Sequence, residues 1–159
     1  MKYLAAIVGG AALAATVASA DVVAPDNVSY GEYGEIPESL TGAPGNAEEG
    51  LKVFTSRALG NCIACHTVSS LLDSVQFHGN VGPSLDGVAD RWTEADLRGI
   101  VANAKNVYDG TIMPAFYKTS GYIRPGEGFT TKPAVEPLPP LLTAEQIEDV
   151  VAYLLTLKE

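Results

Sequence analysis

Cys62-Ile63-Ala64-Cys65-His66 contains both cysteines of this 159-residue chain. Two residues between the thiols suit a single helical turn, so both sulfurs can reach the two vinyl edges of one porphyrin and become thioethers. Cys-x-x-Cys-His is the attachment signature of a c-type haem. His66 would then meet the iron through one imidazole nitrogen, while the other needs a hydrogen-bond acceptor to hold the ring plane and set the ligand's basicity. The same cysteines could instead form a disulfide, a thioredoxin-like redox pair or half of a zinc site. Zinc takes four ligands, whereas the chain holds two Cys and two His, with His78 in a separate glycine-flanked segment. No βαβ pattern surrounds the pair, as a thioredoxin-like motif requires.

Upstream of the motif, residues 1–20 read as a secretory signal. Lys2 supplies the positive start, Leu4 to Ala18 form an apolar run, and Ala18-Ser19-Ala20 is a small-residue cleavage site. The run is shorter than a bilayer span and is followed at once by acidic, Pro-containing sequence. The mature chain is therefore expected to begin at Asp21, to carry no membrane span and to reside in the periplasm. What remains suits one domain with a modest core, so a buried porphyrin is expected to be part of the fold. The formal charge is −9 before Lys2 is removed, which argues against nucleic acid as a partner.

Residues 21–45 are rich in Gly, Pro and acids without a clear period, and read as an extended acidic N-terminal arm. The domain proper is expected over 46–159. Asn46 can cap a helix through Glu48, Glu49, Leu51 and Phe54, with acids in the first turn where the helix dipole favours them, and Gly60 is expected to stop it. Thr93 with Asp96 opens a second helix, whose apolar stripe is Leu97, Ile100, Val101 and Ala104. Thr143 with Gln146 forms a capping box for a third, with Ile147, Val150, Val151 and Leu154 as its stripe. No strand alternation is evident, so the chain is expected to be all-α.

Met113 is the single methionine left after signal removal, and Pro114 follows it. A residue before proline is pushed out of the α region, so the thioether can swing from extended backbone toward a metal. Core filling is the ordinary use of methionine, and His78 is a competing sixth ligand. No P-loop is present, and with His66 on iron nothing places a serine beside the remaining histidine, so phosphate-binding and nucleophilic chemistry find no support.

These residues resemble class I cytochromes c. In that fold the N- and C-terminal helices cross with a glycine and an aromatic at their contact, roles that fall here to Gly50, Phe54 and Tyr153. The resemblance implies all-α helices packed around one covalently bound haem c, held by Cys62 and Cys65, with His66 and Met113 as axial ligands of the iron. Gly82-Pro83-Ser84-Leu85 resembles the Gly-Pro-x-Leu segment of the family. It implies that the Pro83 carbonyl accepts the His66 ring N–H and that Leu85 packs on the proximal face. Arg91 and Trp92 are candidates to donate to the haem propionates, or else form a salt bridge and part of the core.

Between the methionine loop and the last helix, residues 118–142 form a long Gly/Pro-rich insertion. Loops beyond about 12–15 residues are usually functional or disordered, and Tyr122, Phe129 and the aliphatic ends, beside Phe116 and Tyr117, argue for a lid or a partner interface. Ile112-Met113-Pro114-Ala115-Phe116, the insertion, and the helix from Leu142-Thr143 to Tyr153-Leu154 resemble the SoxX family, the monohaem cytochrome subunits of the SoxAX thiosulfate-oxidising complex. That resemblance covers roughly Asn46 to the C-terminus. It implies a heterodimer with a haem-bearing SoxA-like subunit that together couples thiosulfate oxidatively to a carrier-protein cysteine, as an L-cysteine S-thiosulfotransferase. Forming that sulfur–sulfur bond releases two electrons, and a haem here would relay them toward a downstream acceptor. With both cysteines used as thioethers, this chain keeps no thiol for a sulfur intermediate, so no catalytic residue is expected on it and bond-making is expected on the partner. A free diffusible class I cytochrome c carrying electrons between redox complexes is the alternative.

Overall fold

Asn46 starts helix α1 (Ala47–Thr55) because its side-chain oxygen accepts the N–H groups of Glu48 and Glu49, at 2.9 and 3.3 Å, two of the donors a helix N-terminus leaves unpaired. The computed structural model describes residues 21–123, 125, 126 and 130–159. The expected signal segment 1–20 lies outside these residues, as does Phe129. Helix α1 ends earlier than the expected stop at Gly60: Ser56 is its C-cap, and the Gly60 N–H turns back to the Val53 carbonyl at 3.1 Å. A short helix α2 (Val88–Arg91), not anticipated from the sequence, precedes α3 (Glu94–Asn103). At four residues it is too short to show a period. Helices α3 and α4 (Ala144–Leu154) both begin with the expected capping boxes, Thr93 with Asp96 and Thr143 with Gln146. Among the described residues no strand forms, only one isolated bridge between Gly126 and Pro133.

Helices α1 and α4 cross at Gly50. A methyl group there would collide with the Asp149 backbone carbonyl and lie 2.9 Å from Tyr153 Cβ, so only hydrogen permits this approach. One turn on, Phe54 meets Tyr153 with ring centroids 5.2 Å apart in a tilted arrangement. Ile147, Val150, Val151 and Leu154 of α4 are buried with Leu97 and Val101 of α3 in one apolar core. Gly50→Ala is expected to lower the unfolding free energy of the holoprotein by about 1–3 kcal/mol, the usual range for overpacking. Urea titration checks this, and a loss below about 0.5 kcal/mol would mean that the crossing relaxes freely.

The N-terminal arm is where the structure departs most from the sequence reading. Ile36 and Leu40 are buried at 2% and 1% exposure, and Ile36 N–H donates to the Ala95 carbonyl of α3 at 3.0 Å. Beneath them Arg98 and Glu148 form a buried ion pair, with Arg98 Nε to Glu148 Oε1 at 2.8 Å and both side chains 3% exposed. Arg98 also donates to the Ile36 carbonyl at 2.9 Å, and Glu148 accepts the Leu40 N–H at 2.7 Å. Glu94 provides a second carboxylate for the guanidinium. Buried charges require pairing of this kind. The arm is therefore clamped to α3 and α4 as part of the core.

Candidate functional site

The cysteine motif occupies a single tight turn. Asn61 adopts the left-handed conformation at φ 47°, a 3-10 turn follows over Cys62–Ala64, and the N–H groups of Cys65 and His66 both return to the Cys62 carbonyl, at 3.1 and 2.9 Å. The thiols are not joined in a disulfide. Burial pushes the Cys62 thiol up to about 12, a local backbone hydrogen bond opposing and the neighbouring Cys65 adding to the shift. Among the described residues no cluster of three His, Cys, Asp or Glu side chains could hold a metal ion, so the zinc alternative finds no ligand set.

A second loop runs in register beside this turn. Gly79, Gly82 and Leu85 donate their N–H groups to the carbonyls of Ile63, Cys65 and Thr67 at 2.7, 2.8 and 3.0 Å. That ladder sets the Pro83 carbonyl against the His66 ring, 2.8 Å from Nδ1. A carbonyl can only accept, so Nδ1 carries the proton, and in the neutral imidazole this tautomer puts the lone pair on Nε2, the arrangement an iron ligand requires. Gly82 admits the ring: a Cβ there would lie 2.7 Å from Nδ1. Leu85 is half-buried and packs against the core, as Cys62 and Met113 also do.

Side chains stitch the loop from outside. Arg91 donates to the Asp86 and Ser84 carbonyls at 2.7 and 3.3 Å. Trp92 is exposed and lies edge-on to Tyr108 with centroids 6.3 Å apart. The Asp86 carboxylate accepts from the Ser69 hydroxyl and N–H and from the Ser84 hydroxyl, which together with Arg91 hold its pKa below the ordinary 3.8. A depressed carboxylate gives stabilisation that is complete above the unfolded value and is lost as pH falls through the folded one. Asp86→Asn is accordingly expected to weaken the loop at neutral pH and to flatten its acid dependence below about pH 4. Holoprotein stability measured from pH 6 to pH 2 checks this, and parallel curves for the two proteins would remove Asp86 from the account.

His78 is held as a structural residue. Its Nε2–H donates to the Val75 carbonyl at 3.1 Å and its Nδ1 accepts the Val68 N–H at 3.5 Å, so backbone engages both ring nitrogens. Met113 follows α3 on a segment pinned by side chains: its N–H donates to Thr111 Oγ1 at 3.2 Å and its carbonyl accepts from Lys105 Nζ at 2.8 Å. Downstream, Ala115, Phe116 and Tyr117 are buried, and Leu142 N–H donates to the Phe116 carbonyl at 3.0 Å, drawing the two ends of the insertion together.

The model of the cytochrome c family matches residues 47–158. The chain belongs to the cytochrome c family. This cytochrome is also similar to a solved chain described as "Crystal structure of SoxXA from P. pantotrophus", at 58% identity and a TM-score of 0.83, covering 87% of this chain and 100% of that one. Comparison with curated proteins gives no match. The all-α class I fold, the covalently bound haem c and the SoxX-type resemblance expected from the sequence are borne out together by the family match and the SoxXA likeness. Lys105 and Asp86 were missed as site residues because nothing beside either in the sequence names the group it meets: Lys105 reaches the Thr111 and Met113 carbonyls across a loop, and Asp86 meets the Ser69 hydroxyl and N–H. Ser84-Leu85-Asp86, a serine two residues before an aspartate in a loop, was the one local signal available for the latter.

Proposed function

We propose that this cytochrome relays electrons as the SoxX-type subunit of a SoxXA complex in the periplasm. The observation that carries the reading is the His66 Nδ1 to Pro83 carbonyl bond of 2.8 Å beside two unpaired cysteines, which leaves Nε2 available as an iron ligand. The residues fit the group: Cys62 and Cys65 would supply the thioethers, His66 Nε2 and the Met113 thioether would hold the iron, and Leu85 would give apolar support. Arg91 acts by fixing the Gly82–Asp86 loop through the Ser84 and Asp86 carbonyls. Bound here, haem c supplies a one-electron ferric/ferrous couple.

The partner is a SoxA-like haem-bearing subunit, through which the chain serves a thiosulfate carrier protein and a downstream electron acceptor. Support for a protein partner comes from the insertion, where Ile123, Val135 and Leu141 are 97%, 85% and 58% exposed. Side chains turned outward in this way fit a partner interface better than a lid closed on its own core. Among the described residues no helix is long and apolar enough to cross a membrane.

Purification from native cells, with visible spectra and identification of whatever co-elutes, tests the proposal. A c-type haem spectrum with a second haem-bearing subunit in the same peak is the expected result. A coloured protein eluting alone would favour the diffusible carrier, and colourless protein would overturn haem attachment.

A further inference from the structure

Met113 lies in no regular element, yet both of its backbone polar groups are held by side chains. Thr111 Oγ1 takes the N–H at 3.2 Å, and Lys105 Nζ donates to the carbonyl at 2.8 Å while also reaching the Thr111 carbonyl at 3.1 Å. One ammonium thus bridges the two carbonyls that flank Ile112. Lys105 itself stands on rigid backbone. It follows α3 in a 3-10 turn over Ala104–Asn106, its N–H is capped by Asn103 Oδ1 at 3.3 Å, and Ala104 is fully buried and receives the N–H groups of Val107 and Tyr108 at 3.1 and 2.9 Å.

The choice of partner is informative. The chain carries 19 acidic residues against 10 basic ones, yet among the described residues Lys105 forms no ion pair and donates to carbonyls alone. Hydrogen bonds from a charged donor are stronger than neutral ones. Downstream, the loop is anchored by Tyr117 N–H to the Ala102 carbonyl at 2.9 Å and by the buried Phe116. Upstream, the N–H of Thr111 reaches the Tyr108 carbonyl at a long 3.3 Å, so Lys105 is the principal tether on that side.

We infer that Lys105 is the positioning residue of the sixth-ligand loop, holding the Met113 backbone so that its thioether stays on the iron. The inference rests on the proposal that Met113 is an axial ligand. An exogenous ligand must wait for this loop to open, so its apparent affinity follows the open fraction. Loss of the two ammonium bonds is expected to raise that fraction about tenfold.

The experiment is imidazole titration of the ferric holoprotein, followed in the visible spectrum, with a reduction potential for each variant. Lys105→Met is expected to bind imidazole about tenfold more tightly and to show a lower potential. Lys105→Arg, which keeps charge and donors, is expected within about twofold of the native protein. Unchanged imidazole affinity in Lys105→Met overturns the inference even if the potential moves, because a charge acting through space shifts the potential without opening the loop. Equal effects of Met and Arg also overturn it, by assigning the change to packing of the stem. Met113→Ala separates the two levels. If it leaves spectrum and affinity unchanged, axial ligation itself fails and the inference with it; if it alters both while Lys105→Met alters neither, only the role of Lys105 fails.

Discussion

Met113→Ala is expected to lower the reduction potential of the holoprotein by about 0.1–0.2 V, a fraction of the roughly 0.8 V over which axial ligands tune haem. It should also open the iron to carbon monoxide in the reduced state. A soft thioether favours ferrous over ferric iron, so its loss shifts the balance toward the oxidised form. The fold should tolerate the change. Met113 is half-buried, and the loop is held through its backbone by Lys105 and Thr111 and through the buried Phe116 and Tyr117. The substitution therefore acts at the metal with little effect on the core. Potentiometric titration and the ferrous carbon monoxide spectrum check it. An unchanged potential and spectrum would remove Met113 from the site, and carbon monoxide binding by the unsubstituted protein would point to an open iron and a sensor or catalyst in place of a relay.

The second large effect lies away from the haem. Glu148→Gln is expected to destabilise the holoprotein by about 3–5 kcal/mol, the usual result of stranding one partner of a buried ion pair. The thermal midpoint should fall by roughly 10–20 °C for a domain of this size. Glutamine preserves the shape and can still accept the Leu40 N–H, but leaves the Arg98 guanidinium with only the largely exposed Glu94 as a carboxylate. Replacing both partners, with Arg98→Met and Glu148→Leu, removes the stranded charge but leaves the Ile36 carbonyl and the Leu40 N–H unpaired, so it is expected to remain destabilised. A loss below about 1 kcal/mol in Glu148→Gln would show that the arm docks without the pair.

The two effects separate what was readable in the chain from what was not. The haem turn, the Asn46 cap and the two capping boxes span five residues or fewer, so each is fixed by neighbours and was legible in order of residues alone. The Pro83 acceptor became legible only through resemblance to the cytochrome fold, since nothing in a proline predicts which imidazole its carbonyl meets. Arg98 illustrates the opposite case. It sits one position after Leu97 on α3, where a charged side chain ordinarily faces water, and it is buried because Glu148 arrives from 50 residues away.

By itself the sequence determined the haem attachment, the three principal helices and most of the apolar faces they bury, Ile100 of α3 staying outside the core, because these follow from short-range hydrogen bonding and from periodicity. Only the tertiary structure decided that the acidic arm belongs to the core and that Arg98 and Glu148 are buried together beneath it. The physical reason is separation along the chain. Contacts such as Leu40 to Glu148, 108 residues apart, exist only once packing has brought both ends together, and no local pattern records which distant group will arrive.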